Sequence, residues 1–340
     1  MKVLLVKTSS LGDIVHALPA VTDALQAIPE LVIDWVVEEA FKDIPERHVG
    51  VRRVIPVAIR RWRQQMLKSA GEFSEFRAQL REDTYDLVLD SQGLFKSALT
   101  GWLAKGPLCG FSGASAREPV ASKLYRKGYD IDVNQHAILR QKQLFASAIG
   151  YPCPDAIDFG LKKNPDRKRR LAFFHGTTWL SKEWPLAYWQ RLAIQAIDEG
   201  YELLVPAGSE EERARAEAIT AAGGDVLYRP SLSDLIERLS RCQGAVSVDT
   251  GLGHLAPALG VPMVGLFGAT DPSLTGMLGQ QAKVLASTHL PCIPCRERDC
   301  QYKKSDDSSK IHPPCYEPIT PETVWQALQQ QTGNPSPSLD

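Results

Sequence analysis

The sequence predicts an α/β protein of two doubly wound parallel-sheet domains facing a central cleft, and three observations carry that prediction. At 340 residues the chain is long for one domain and comfortable for two. Short apolar runs alternate with amphipathic helical stretches, the rhythm of a parallel sheet covered on both faces. That rhythm breaks at Tyr151-Pro-Cys-Pro154 and then restarts. The expected layout is therefore a 1–150 domain, a 151–170 linker and a 171–319 domain.

The elements follow in order. In the first domain, β-branched and Leu-rich runs predict strands at 2–6, 33–37, 54–57, 86–89 and near 108–111. Apolar residues at helical spacing fill 14–27, 64–81, 94–104 and 135–149. In the second domain, strands are expected at 171–174, 202–205, 226–228, 245–248 and 263–267. Helices are expected at 184–199, 210–222, 232–242 and 252–259. Thr320 as N-cap and Pro321 at the first helical position open a C-terminal helix over 320–333, expected to pack back toward the first domain. The tail 334–340 is Pro/Ser-rich and expected to be disordered.

Composition limits the function. Hydrophobic residues make up 44%, enough for each half to bury a core, and the formal net charge is -1. That balance argues against bulk electrostatic binding to nucleic acid, so any anion must be met by a local patch. The apolar run Val3–Val6 is too short for a signal peptide, and no run of about 18 apolar residues exists to span a bilayer. A soluble cytoplasmic protein is the expectation, with peripheral membrane contact open. Of seven cysteines, Cys109, Cys153 and Cys242 are scattered and expected to be buried thiols. The others cluster as Cys292-x2-Cys295-x4-Cys300-x14-Cys315, with His312 as a substitute ligand. In a cytosolic chain that spacing suggests a structural zinc clip more than disulfides.

Four segments could carry chemistry. After the first strand, Thr8 to Gly12 form a small-residue loop, and Asp13 stands where a helix begins. Strand ends of this kind line ligand crevices in open α/β sheets. Asp13 is either a helix N-cap or a general base there. Ser9, Ser10 and Gly12 are acceptor-binding candidates. At Asp249-Thr-Gly-Leu-Gly-His254 a strand gives way to a helix start, whose amides and glycines suit a phosphate. The loop His175-Gly-Thr-Thr-Trp-Leu-Ser-Lys182 offers Thr177, Thr178 and Lys182 as diphosphate donors. Arg60, Arg61 and Arg63 around Trp62 make a basic patch that Lys96 and Arg117 could extend, against the plain reading of a solvated helix start. Asp130 and Asp132 have metal-pair spacing but alternate with Ile131 and Val133 as on an edge strand, so a metal is rejected there. His16 could orient Asp13, although such a helical pair is often only a surface contact.

Taken together, Lys7-Thr-Ser-Ser-Leu-Gly-Asp-Ile-Val-His-Ala-Leu-Pro19, Asp34-Trp-Val-Val-Glu-Glu39, Val54-Ile-Pro-Val-Ala-Ile-Arg-Arg-Trp-Arg63, Ala116-Arg-Glu-Pro119 and Val246-Ser-Val-Asp-Thr-Gly-Leu-Gly-His254 resemble glycosyltransferase family 9, the heptosyltransferases. The resemblance runs over residues 1–330. It implies a GT-B fold of two Rossmann-like domains. It implies transfer of L-glycero-D-manno-heptose, with inversion and without a catalytic metal. The donor would be ADP-L-glycero-β-D-manno-heptose. The acceptor would be the first Kdo of Kdo2-lipid A, at the cytoplasmic face of the inner membrane. Segments 34–39 and 60–63 point to members adding the first heptose, whereas the cysteine cluster is more like members adding later ones.

By motif match, Asp13 would be the base and Lys182 would act with it. Thr177, Thr178, Lys182, Asp249, Thr250, Gly251 and His254 would hold ADP-heptose. Glu210 would match the ribose-binding acid, and Leu232 would pack near the adenine. Arg60, Arg61, Arg63 and Arg117 would grip the Kdo carboxylates and lipid A phosphates. Three alternatives stand beside this reading: a relative adding a later heptose, a catalytically silent nucleotide-sugar sensor, and a GT-B-like epimerase.

Overall fold

The computed structural model describes residues 1–65, 69–302 and 311–333. The chain divides into two compact units, Met1–Lys162 and Lys163–Asp340.

The first unit runs β1 (Lys2–Val6), α1 (Leu11–Ala27), β2 (Val32–Glu38), β3 (Val51–Val57), α2 (Ile59–Gln64), α3 (Ala70–Leu80), β4 (Leu87–Asp90), α4 (Phe95–Trp102), β5 (Leu108–Phe111), β6 (Lys127–Tyr129) and α5 (Ala137–Ile149). Its strands form one parallel sheet in the order β3-β2-β1-β4-β5-β6. Val3, Leu4, Leu5 and Val6 are all fully buried because helices cover both faces of the central strand. Helix α1 packs on α5 and is buried almost all round, so its apolar residues exceed a single stripe. The strand order reverses between β1 and β4, and in open α/β sheets that switch point is where ligands bind.

The second unit runs β7 (Lys168–Phe174), α6 (Leu186–Asp198), β8 (Glu202–Ala207), α7 (Glu210–Ile219), β9 (Asp225–Tyr228), α8 (Leu232–Ser240), β10 (Cys242–Val248), α9 (Gly251–Ala258), β11 (Met263–Phe267), α10 (Pro272–Thr275), β12 (Ala282–Ala286) and α11 (Pro321–Thr332). The order β12-β11-β10-β7-β8-β9, again all parallel, repeats the topology of the first unit. Its switch point lies between β7 and β10. The core holds Phe173, Trp184 and Trp189, with the two indoles edge-to-face at 5.0 Å.

Several expectations are corrected. The helical pattern at 64–81 resolves into α2 and α3, with residues 66–68 outside the described set. Strands β6 and β12 were not anticipated: β6 is three residues long, and β12 is partly exposed with little apolar signal. Much of the expected 151–170 linker belongs to the first unit, because Tyr151, Phe159 and Leu161 are buried and Leu161 bridges to His48. Helix α11 is built into the second unit's own core, since Val324, Trp325 and Leu328 pack with residues of β7, α6 and β8. Asp130 and Asp132 lie just beyond β6 rather than on it. Cys153 is exposed, not buried. The tail 334–340 lies outside the described residues.

Candidate functional site

In the first unit the candidate residues gather at the switch point. Ser10, not Asp13, is the N-cap of α1, and Asp13 stands three positions on. One Asp13 carboxylate oxygen accepts from the Ser10 N–H and from the Ser10 hydroxyl, both at 2.9 Å. This is the acidic half of a capping box. The arrangement leaves the carboxylate half-buried, with Lys7 Nζ 4.0 Å from Oδ1 and an Arg117 nitrogen 4.0 Å from Oδ2. Burial alone would raise the Asp13 pKa. Lys7, the Ser10 hydrogen bonds and Arg117 outweigh it, so the carboxyl sits below its ordinary value and is ionised.

Lys7, to which the sequence reading gave no role, is the cation behind Asp13. Its side chain is buried and donates to the Ser91 carbonyl at 3.1 Å. Burial pushes its ammonium below the usual range, while Asp13 and Asp90 pull the other way. Gln92, also unforeseen, shapes the loop that carries Ser9 and Ser10. Its side-chain oxygen accepts from the Thr8 N–H and hydroxyl, both at 2.7 Å, and from the Ser9 N–H at 3.3 Å. The sequence signal for both was their place at the ends of β1 and β4. His16 is buried edge-on to His136, with ring centroids 6.0 Å apart.

The other basic candidates lie apart from Asp13 along the sheet. Arg60, Arg61 and Arg63 stand on α2, after edge strand β3, two strands removed from β1. Arg61 is held by two carboxylates, Glu39 at 3.1 Å and Glu72 at 2.8 Å. Arg60 lies over the Phe41 ring at 5.7 Å. Arg60 and Arg63 are exposed, as is Lys96 on α4.

In the second unit every donor candidate follows the carboxyl end of a strand. Thr177, Thr178 and Lys182 follow β7, Glu210 follows β8, Leu232 follows β9, and Asp249 to His254 follow β10. Lys182 Nζ sits 2.6 Å from Asp249 Oδ2 and 4.4 Å from the Trp179 ring centre. The Thr270 hydroxyl donates to the same Asp249 oxygen at 2.7 Å. Asp249 thus holds Lys182 and Thr270 together at the carboxyl end of β10. Thr250 is the N-cap of α9, whose first turn presents backbone amides and the positive end of its dipole. A Cβ at Gly253 would fall 2.5 Å from the Ser247 hydroxyl, so glycine lets α9 start close against β10. His254 is buried in α9.

Glu210 is exposed and its carboxylate accepts from the Tyr228 hydroxyl. Glu212, which sequence reasoning passed over, accepts from the Gly208 N–H at 2.7 Å and sits where a Cβ on Gly176 would fall. The signal for Glu212 was the Ser209-x-x-Glu212 capping pattern.

The four clustered cysteines, Cys292, Cys295, Cys300 and Cys315, are free thiols, and all line one small cavity. Burial and the three neighbouring thiols push the Cys315 thiol up to about 12.

Comparison with known proteins adds to this geometry. The model of glycosyltransferase family 9 (heptosyltransferase) matches residues 73–305. Lipopolysaccharide heptosyltransferase 1 of Pseudomonas aeruginosa is 45% identical over 350 residues, covering 97% of each chain. Lipopolysaccharide heptosyltransferase 1 of Escherichia coli is 43% identical, covering 84% of this chain and 93% of that protein. The solved structure of E. coli heptosyltransferase WaaC with ADP superposes with a TM-score of 0.83 at 37% identity, covering 97% of this chain and 100% of that one.

Proposed function

We propose a specific reaction for this chain, which belongs to glycosyltransferase family 9, the heptosyltransferases. It moves L-glycero-D-manno-heptose from ADP-heptose to the first Kdo of Kdo2-lipid A in lipopolysaccharide inner-core synthesis. The observation that carries the reading is an ionised, half-exposed carboxylate, Asp13, at the first unit's switch point. It is the group a transfer to a hydroxyl requires.

In this reading the acceptor hydroxyl gives its proton to Asp13 as its oxygen bonds to the anomeric carbon. The bond from that carbon to the ADP oxygen breaks on the opposite face, giving inversion. Negative charge gathers on the departing diphosphate, where Lys182 and the first-turn amides of α9 stabilise it. Thr177, Thr178 and Thr250 add hydroxyl donors. Glu210, with Glu212 beside it, serves the ribose, and Leu232 the adenine. The Asp13 step uses a weak base, because Lys7 and Arg117 hold its proton affinity down. A carboxylate of that strength suffices when the proton leaves late, from an oxygen already bonded to an oxocarbenium-like carbon. No step in this scheme calls on a metal.

The acceptor is a lipid, and one face of the first unit suits an anionic bilayer at the cytoplasmic side of the inner membrane. Among the described residues no helix is long and apolar enough to cross one. On α4, Phe95, Leu99 and Trp102 are 45%, 44% and 62% exposed, at spacing that shares one helix face. Val120 is exposed on the turn that packs against α4. Lys96 and Arg117 flank this apolar stripe, and the combination of apolar residues and basic neighbours is that of an interfacial helix. Arg60, Arg61 and Arg63 then serve the acidic headgroup, Arg61 exchanging Glu39 or Glu72 for a substrate carboxylate or phosphate.

Release of ADP tests the reading. With ADP-heptose as donor, Kdo2-lipid A alone should support turnover. Turnover only with an already heptosylated core would assign the chain to a later transfer. A sugar freed without any acceptor would point to epimerase-like chemistry.

A further inference from the structure

The cysteine cluster takes no part in the reaction above, and the fold brings its four members to one place. Cys292, Cys295 and Cys300 come from the segment after β12, and Cys315 from the 3-10 turn Pro314–Tyr316 that precedes α11. All four line a cavity of about 20 Å³, together with Ser181 and Gly268. That volume accommodates a single water-sized occupant. Much of the remaining wall is apolar, from Leu290, Ile293 and Pro314. No pair has closed into a disulfide. Among the described residues no group of three or more His, Cys, Asp or Glu side chains is placed to hold a metal ion as it stands, so the four sulfurs would have to draw together around one.

We propose that this cavity is a structural metal site in which Cys292, Cys295, Cys300 and Cys315 bind one Zn²⁺ as thiolates. Four sulfur ligands match tetrahedral zinc, and a closed set of four leaves no position for substrate, which makes the site structural. Each thiol gives up one proton as its sulfur binds the ion, so four protons leave to solvent and the site changes from neutral to a charge of about −2. Arg296 and Arg298, between the second and third cysteines, supply nearby positive charge.

The site bears on the donor loop. The Ser181 N–H donates to the Arg298 carbonyl at 3.0 Å, and the Ser181 hydroxyl donates to the Glu297 carbonyl. The Tyr316 hydroxyl donates to the Lys182 carbonyl at 2.8 Å. The Arg296 N–H donates to the Ala269 carbonyl at 2.8 Å, one residue before the Thr270 that holds Asp249. Fixing the cysteine segment therefore fixes Lys182 and Asp249 from behind, which makes the four cysteines positioning residues. The metal site itself stands or falls independently of which sugar is transferred.

The test is elemental analysis of the full chain purified under reducing conditions without chelator, followed by cobalt substitution. The expected result is stoichiometric zinc and, with Co²⁺, the thiolate charge-transfer and tetrahedral ligand-field bands of a sulfur-bound ion. Cys295→Ser and, separately, Cys300→Ser should lose the metal, lower the thermal midpoint and weaken ADP affinity. Cys153→Ser should do none of these. Stoichiometric iron in place of zinc would overturn the zinc assignment. Metal-free protein that takes up neither Zn²⁺ nor Co²⁺, or a Cys300→Ser protein that keeps its zinc, would overturn the site.

Discussion

Replacing Asp13 by Asn separates chemistry from stability, because the amide is isosteric and can still accept from the Ser10 N–H. What is lost is charge. A carboxylate in the first turn of a helix stabilises by about 0.3–1 kcal/mol. The Arg117 contact at 4.0 Å is 68% exposed on the arginine side and adds little. Lys7 loses one of the two carboxylates acting on it but keeps Asp90. The expected change in stability is therefore about 1 kcal/mol, well inside the 5–15 kcal/mol by which domains are held. Loss of a general base lowers the rate by about 10²–10⁴-fold, equivalent to about 3–5 kcal/mol in the barrier. The assay is single-turnover ADP release with Kdo2-lipid A, beside calorimetric titration of ADP and a thermal melt. Turnover should collapse while ADP affinity and melting stay near the parent values. A folded Asp13→Asn protein retaining more than about a tenth of parent turnover would refute the base assignment. The pH profile gives a second reading. The folded Asp13 pKa is depressed, so its ionised form, and the stability it lends, are complete above the ordinary carboxylate range. Both are lost only as pH falls through the depressed value. The acid limb of kcat/KM, which reports the free enzyme, should therefore lie below the usual carboxylate pKa.

The remaining predictions concern the donor site and the membrane face. Lys182→Ala should lower kcat by about 10²–10³-fold, the worth of one preorganised donor on a departing oxyanion, and should weaken ADP binding. If ADP titrates unchanged and kcat holds, the diphosphate assignment is lost. The pair Leu99→Ser and Trp102→Ser should reduce sedimentation with anionic vesicles while leaving ADP affinity intact. Equal sedimentation of parent and variant would remove α4 as the membrane contact.

Local pattern carried the central strands and the helix starts. Lys2–Val6 is apolar and wholly internal, and Thr320-Pro321 announces α11 with its own cap. Both motifs at Asp13 and Asp249 were legible because a strand end, small residues and a helix start are adjacent in sequence. What escaped was set by partners far along the chain. Lys7 gains meaning only from Ser91 and Asp13, and Gln92 only from Thr8 and Ser9. Glu212 matters because Gly176, on another strand end, approaches it. Helix α11 shows an apolar face, but nothing in its own residues says which core that face joins. The partners of Asp249 were hidden for the same reason: Thr270 and Lys182 converge on it from two other loops.

The Gln92 clasp sets an order of events in the maturing chain. One side-chain oxygen binds Thr8 across 84 residues of sequence and Ser9 across 83. Closing a loop of that length costs entropy that only the finished sheet repays. The Ser10–Asp13 box, by contrast, spans three residues and can form as soon as α1 does. Asp13 thus begins as the acidic half of a local capping box on the nascent chain. The loop ahead of Asp13 takes its shape only when β4 docks beside β1 and delivers Gln92 to Thr8 and Ser9, so the setting of the proposed base depends on the closing of the sheet that carries it.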